Sequence, residues 1–252
     1  MSNKMTDRIS TSTAADQARQ HYQTEQHSKL PSIIAPLSSG GKIYPKDHPL
    51  REGKIEMRYM TAYDEDILTN ASYVREGVML ERLLESISLT KFNVSEMATF
   101  DKDGLLIYAR IVSYGAEYPV IVQDPNTKTE LERTVNLNEI KAKPFNLIPN
   151  DNGEFEYSVG DSTIKFAYNV QDIADASPSE FLKIVIRQVN DSRTPESIEH
   201  FIRYQFLAKD AKQFRTYYID NAPTLDMSVE FEGEAGGTFR SGFQIGTDFF
   251  WF

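Results

Sequence analysis

The sequence predicts an α+β fold: a helical core with three antiparallel β-hairpins behind a disordered N-terminal arm. Three observations predict it. Between Lys54 and Gly115 a strand-like alternation gives way to three helical periodicities. After Gly115, three pairs of β-rich runs are each split by turn chemistry. The first 29 residues hold almost no large apolar side chain, too little to offset the entropy of ordering a backbone. We divide the chain into an arm (1–29), an extended strap (30–53) and an α+β domain (54–252). A subdivision near 145–175 stays open.

The central stretch opens the domain. Ile55, Met57 and Tyr59 alternate with Glu56 and Arg58, the period of a strand with one buried face. Thr61 and Asp64 are spaced like a capping box, and Asp64, Glu65 and Asp66 suit the positive end of a helix dipole. A second helix is predicted over Val78 to Leu89, with Val78, Leu80, Leu83, Leu84 and Ile87 on one side. A third starts near Asp101. Leu105, Leu106, Tyr108, Ala109, Ile111 and Val112 make it apolar nearly all round, as for the central helix of a core. Gly115 stands where a left-handed C-cap is expected.

The strap precedes this stretch. Leu30 to Leu37 is apolar and extended, because each proline pushes its predecessor away from helix. Gly40 and Gly41 supply a turn. Packing along its own domain is the simpler expectation; augmenting another chain's sheet edge is the functional one. Beyond Gly115, Glu117 to Val122 and Glu130 to Leu137 flank the turn residues Asp124-Pro125-Asn126-Thr127. Glu154 to Val159 and Ser162 to Tyr168 form a second predicted hairpin. Ser177-Pro178 starts a helix predicted to run to Val189, Thr194-Pro195 another to Phe206, and Asp210 caps a third over Ala211 to Ile219. Leu225 to Phe231 and Thr238 to Ile245 make the last hairpin. The chain then reads Asp248-Phe249-Phe250-Trp251-Phe252. Such a run either docks on its own domain or meets a neighbouring subunit, since exposed apolar patches mark interfaces.

Composition excludes several function classes. The 252 residues carry 27 basic and 37 acidic side chains, a net charge of -10. That argues against a general phosphate-backbone binder. The absence of cysteine removes disulfides, thiolate zinc sites, iron–sulfur clusters and cysteine nucleophiles. No apolar run approaches a membrane span, and the N-terminus lacks the apolar core of a signal peptide. A soluble protein kept in a cytoplasm is expected, and an extracellular particle also suits a chain without cysteine.

No constellation points to chemistry. His21 and His27 lie in the arm, His48 sits beside Pro49, and His200 has only Glu196 and Glu199 near it in sequence. There is no phosphate loop, no Gly-x-Ser-x-Gly elbow and no His-Glu-x-x-His. Consecutive acids such as Asp64, Glu65 and Asp66, or Asp101 and Asp103, do not share a helix face. No catalytic, cofactor or metal site is assigned. The candidate partner contacts are Ile33, Ile34, Leu37 and Tyr44 in the strap, with Phe249, Phe250, Trp251 and Phe252 at the end of the chain.

The order of features resembles the baseplate hub proteins of T4-type contractile phages. The residues that carry the resemblance are Leu37-Ser38-Ser39-Gly40-Gly41-Lys42-Ile43-Tyr44-Pro45, then Ile55 to Thr61 running into Asp64 to Leu68. Leu80-Glu81-Arg82-Leu83-Leu84, Asp101, Arg110 to Tyr118 and the Phe249-Phe250-Trp251 ending continue it. The match spans about 37 to 252 and is weakest between 140 and 225. It implies a non-enzymatic structural subunit acting in baseplate hub assembly through protein–protein contacts. Its partners would be other baseplate, hub or tail proteins, with no nucleic acid and no membrane insertion. It would work in the host cytoplasm during assembly and then in the tail baseplate. An assembly chaperone absent from the virion is the alternative. A nucleic-acid-binding module resting on Lys141, Lys143, Lys165 and Lys183 is a further one. Many relatives resemble carriers of a Cys-x-x-Cys pair at two hairpins, here near Asp124 to Thr127 and Phe231 to Gly236, which together suit a zinc. This chain has neither pair, so apolar packing is expected to replace the metal.

Overall fold

The strap enters as a strand. The computed structural model describes residues 30–168, 173 and 175–251; the predicted arm lies outside them. Strand β1 (Ser32–Pro36) pairs antiparallel with β2 (Lys54–Arg58), from Ser32 opposite Arg58 to Pro36 opposite Lys54. Ala35, Ile55 and Met57 face the core, while Ile34 points out with 63% of its surface exposed. The loop between the strands is closed by Leu37 N–H donating to the Gly53 carbonyl at 2.8 Å. Gly41 has φ +77, and a Cβ there would stand 2.5 Å from the Arg51 carbonyl oxygen, so no other residue fits. The strap therefore packs on its own domain.

The predicted alternation of β2 breaks at its end. Arg58 was expected outside and Tyr59 inside; Arg58 is 2% exposed and Tyr59 37%. The strand stops at Arg58, and a carboxylate on the next helix draws the guanidinium inward.

Four helices follow: α1 (Ala62–Leu68), α2 (Ala71–Glu76), α3 (Met79–Ile87) and α4 (Thr99–Tyr114). Thr61 caps α1 through the predicted capping box with Asp64. Helix α2 buries none of its residues and rests on α3 through Tyr73, with Arg82 over its ring at 6.0 Å. Helix α4 is the core's axis: Leu105, Leu106, Ile107 and Ala109 are all buried. It starts two residues before Asp101, and Gly115 departs from the expected left-handed cap, with φ 93 and ψ 169. The chain is already entering the next hairpin there, because Ala116 accepts a hydrogen bond from Leu137 N–H at 2.8 Å.

The hairpins are β3 (Glu117–Gln123) with β4 (Glu130–Asn136), β5 (Glu154–Val159) with β6 (Ser162–Ala167), and β8 (Ser228–Glu232) with β9 (Thr238–Gly242). The helix predicted over Pro178 to Val189 is shorter than expected. Helix α5 (Pro178–Val185) ends early, and β7 (Ile186–Val189) joins β6 to make a three-stranded sheet. The β-branched Ile186 and Val189 are both buried in that sheet, where such side chains pack well. Helices α6 (Pro195–Tyr204) and α7 (Ala208–Asp220) complete the fold. Asp210 lies in the first turn of α7, and Leu207 rather than Asp210 occupies the cap.

The second half packs through rings. Tyr168 and Tyr218 have centroids 4.4 Å apart, and Phe155, Phe166, Phe181 and Phe214 surround them. One contiguous hydrophobic core joins these rings to the strap, to α4 and to Phe249 and Phe250.

Candidate interaction surfaces and the clasps that build them

Three buried polar clasps shape the surfaces on which a partner would act. The first holds the strap. Asp101, in the first turn of α4, accepts from Ser39 N–H and from Ser39 Oγ, each at 2.8 Å, and from Tyr44 Oη at 2.8 Å. Tyr44 Oη in turn accepts from Ala98 N–H at 3.1 Å. Burial pushes the Asp101 carboxyl above its ordinary range despite these donors, and it pushes the Tyr44 phenol up as well.

The second clasp ties β2 to α1 and α3. Arg58 meets Asp64 in a two-pronged pair at 2.7 and 2.8 Å. Ser86 Oγ donates to Asp64 Oδ1 at 2.7 Å, and Thr61 N–H donates to Oδ2 at 2.8 Å. Burial alone would raise the pKa of Asp64; these donors overcome it and hold the carboxyl at about 2.

The third clasp anchors the end of the chain. Arg110 on α4 is 2% exposed, and its Nε donates to the Phe249 carbonyl at 3.1 Å. Its guanidinium lies over the rings of Tyr114 and Tyr118 at 5.0 and 5.9 Å. Phe249 packs against Tyr118 with tilted rings at 5.0 Å, and Phe250 meets Tyr114 edge-on at 6.4 Å.

The eight candidate contacts thus separate. Leu37, Tyr44, Phe249 and Phe250 are core residues of their own chain. Ile33 is half-buried, Ile34 is exposed, and Trp251 is 44% exposed directly after two anchored neighbours. Phe252 lies outside the described residues. The structure brings Phe249 and Phe250 onto the C-terminal end of α4, away from the exposed face of β1, and Trp251 follows them with its N–H bonded to the Asp248 carbonyl at 3.0 Å.

The two hairpin tips meet. Asp124 is 1% exposed; its Oδ1 accepts from Asn126 N–H at 2.8 Å, and its Oδ2 accepts from Glu234 N–H of the other hairpin at 2.9 Å. Backbone donors hold its carboxyl below the ordinary range, Asn126 first and Glu234 next. Arg133 adds a bond to the Glu232 carbonyl at 2.8 Å. A buried carboxylate bonded to backbone adds to the apolar packing expected here: Val122 and Val135 of the first hairpin and Phe231 of the last lie in the same hydrophobic core. The carboxylate's oxygens are engaged by N–H donors and no histidine or cysteine stands beside it, so the tips do not fit a zinc. Among the described residues no three His, Cys, Asp or Glu side chains group as metal ligands.

The remaining polar residues pair locally. His48 stacks on Tyr44 at 5.1 Å and contacts Glu96 at 3.1 Å. His200 packs on Tyr204 at 5.1 Å. Of the four lysines considered for nucleic acid, Lys165 pairs with Glu156 and Lys183 with Glu199. No helix among the described residues is long and apolar enough to cross a membrane. Neither Arg110 nor Asp124 is among the candidate contacts read from sequence. A charge inside an otherwise apolar helix was the available signal for Arg110; Asp124 read simply as a turn residue.

A model of the family described as T4 bacteriophage base plate protein matches residues 31–244. The chain belongs to that family. The match runs from the strap through the last hairpin, so it embraces the strap clasp, the Arg58–Asp64 pair and the joined hairpin tips. This base plate protein matches no curated protein and no solved structure. Membership makes it a structural protein of a bacteriophage baseplate, whose surroundings are other tail and baseplate proteins.

Proposed function

We propose that this base plate protein acts in assembly of the baseplate hub as a structural subunit, without catalysis, through contacts with other hub or tail proteins. It does so in the host cytoplasm, before the tail is complete. Family membership supports the baseplate role. The observation that carries the contact role is Trp251. The Arg110 anchor fixes the backbone of Phe249, and the next-but-one side chain is held with 44% of its surface in water. Presenting a large aromatic from a rigid base suits an interface anchor, a residue type enriched among binding hot spots.

The test is affinity capture of the tagged full chain from infected cells, read by mass spectrometry, alongside gels of purified particles. Recovery of tail proteins with a stoichiometric band in particles supports the structural subunit. Recovery of tail proteins with no band in particles replaces it with the transient chaperone. Recovery of no tail protein overturns the assembly role.

A further inference from the structure

We propose that the outer edge of β3 receives an extended, basic segment of another tail protein, added as a third strand beside the β3–β4 pair. This rests on the assembly role above and names the chemistry of one of its contacts.

A groove of ≈650 Å³ runs between β3 and the stretch 242–249. Every residue from Tyr118 to Val122 lines it. Side chains alternate across a strand, so five consecutive lining residues set the groove along the length of β3, and Glu132, opposite Ile121 on β4, also reaches it. Backbone accounting identifies the free edge. Leu137 N–H donates to Ala116, and Asp124 N–H donates to Thr129. With the observed register, these bonds make Tyr118–Val135, Val120–Arg133 and Val122–Leu131 the hydrogen-bonded pairs. The N–H and C=O groups of residues 117, 119, 121 and 123 therefore point away from β4. No backbone bond to another segment claims those of Ile121 among the described residues. Pro119 offers only its carbonyl there, which limits pairing to the portion around Ile121 and Gln123.

The groove's chemistry selects the occupant. Val120, Val122, Phe243 and Phe249 form an apolar floor, with Glu132 and Asp248 beside it. Neither carboxylate has an ion pair among the described residues, and no lysine or arginine lines the groove. An incoming strand that puts apolar side chains on the floor and lysine or arginine at the rim satisfies both. A second copy of this chain would bring Glu132 and Asp248 against themselves. The first 29 residues carry no apolar alternation to fill the floor.

The test uses the purified full chain and a fluorescein-labelled eight-residue peptide alternating valine with lysine and threonine. A matched peptide carries glutamate in place of lysine. The lysine peptide is expected to bind about ten-fold or more tightly than the glutamate peptide at low salt. Ile121→Pro removes an N–H that points away from β4, so it should lower that binding by about ten-fold. The double variant Glu132→Lys/Asp248→Lys leaves the strand's backbone unaltered and should reverse the preference between the peptides; it decides the matter if Ile121→Pro does not fold. Equal binding of both peptides, or an unreversed preference in the double variant, overturns the proposal. A dimer seen by sedimentation and abolished by Ile121→Pro overturns it in favour of a second copy. In infected cells, Ile121→Pro that still recovers the same tail proteins would overturn the edge contact and leave the assembly role standing. Recovery of none by the unaltered chain would instead remove the role itself.

Discussion

Two carboxylates separated by a few dozen residues carry opposite pH signatures. Asp64 is held at about 2 against an ordinary 3.8. Its folded pKa lies below the unfolded value, so its contribution is complete above about pH 4 and is lost as pH falls through 2. Asp103 is the reverse case. It is half-buried with no hydrogen-bond partner among the described residues, and burial raises it to about 6, with Lys102 opposing weakly. The folded state then binds a proton more tightly than the unfolded state between about pH 4 and 6, so stability rises as pH falls through 6. Asp103→Asn should raise the melting temperature at pH 8 and flatten its pH dependence between pH 7 and 5, both readable by calorimetry; an unchanged pH profile would remove the assignment. Asp64→Ala should cost about 3–5 kcal/mol in urea denaturation at pH 7, because it strands Arg58 in the core. Replacing both partners by apolar residues should cost far less. These residue-scale facts were the least legible in sequence. Asp64 was read as a dipole-matched first turn, which it is, but the strand alternation placed Arg58 on the solvent side. The inward turn of Arg58 depends on α1 folding back, and no local period records that.

At the scale of elements, sequence reasoning succeeded where a local pattern decides and failed where pairing decides. The capping box of α1, the proline start of α6 and all three hairpins follow from neighbours in sequence. Strand β7 does not: Ile186 to Val189 suits helix and strand alike, and the open edge of β6 settles it. The hairpin tips were recognised as tips, but their union through Asp124 joins residues 110 apart. Asp124→Ala should speed amide exchange at Asn126, Thr127 and Glu234 together while β6 amides stay protected, since the first three lose an acceptor. Exchange unchanged at Glu234 would mean that the tips hold together without the carboxylate. The chain's end is the other element fixed at long range. Arg110→Met keeps the apolar bulk of the side chain but leaves the Phe249 carbonyl without its donor, a loss of about 1–3 kcal/mol. Trp251 is the chain's single tryptophan, so acrylamide quenching reports on this segment directly. Quenching should rise in Arg110→Met, and unaltered quenching would mean that Phe249 and Phe250 hold the segment by packing alone.

For the whole molecule, the strap decides whether the chain behaves as one body. The sequence left a division open near 145–175, where residues 143–150 lead without helix or strand into β5 and β6. Contacts across it are nevertheless polar, specific and made by the strap. Lys46 N–H donates to the Asp151 carbonyl at 2.8 Å, and Lys42 Nζ donates to the Phe145 carbonyl at 2.7 Å. Gly153 approaches Ile43 so closely that a Cβ there would overlap its carbonyl oxygen. From the same strap, Tyr44 reaches back to Asp101 on α4. A segment that bonds to both halves couples their unfolding, because neither can open without releasing it. We therefore expect one cooperative urea transition, with Trp251 fluorescence reporting the first half's anchor and far-ultraviolet circular dichroism reporting the whole chain at the same midpoint. Gly153→Val should lower both midpoints together, since it forces the strap off β5 while leaving the β3–β4 and β8–β9 tips intact. Separate midpoints in the unaltered chain would instead divide the molecule near 145–175. The strap would then be a tether between two folding units, and the aromatic end of the chain would belong to the first of them alone.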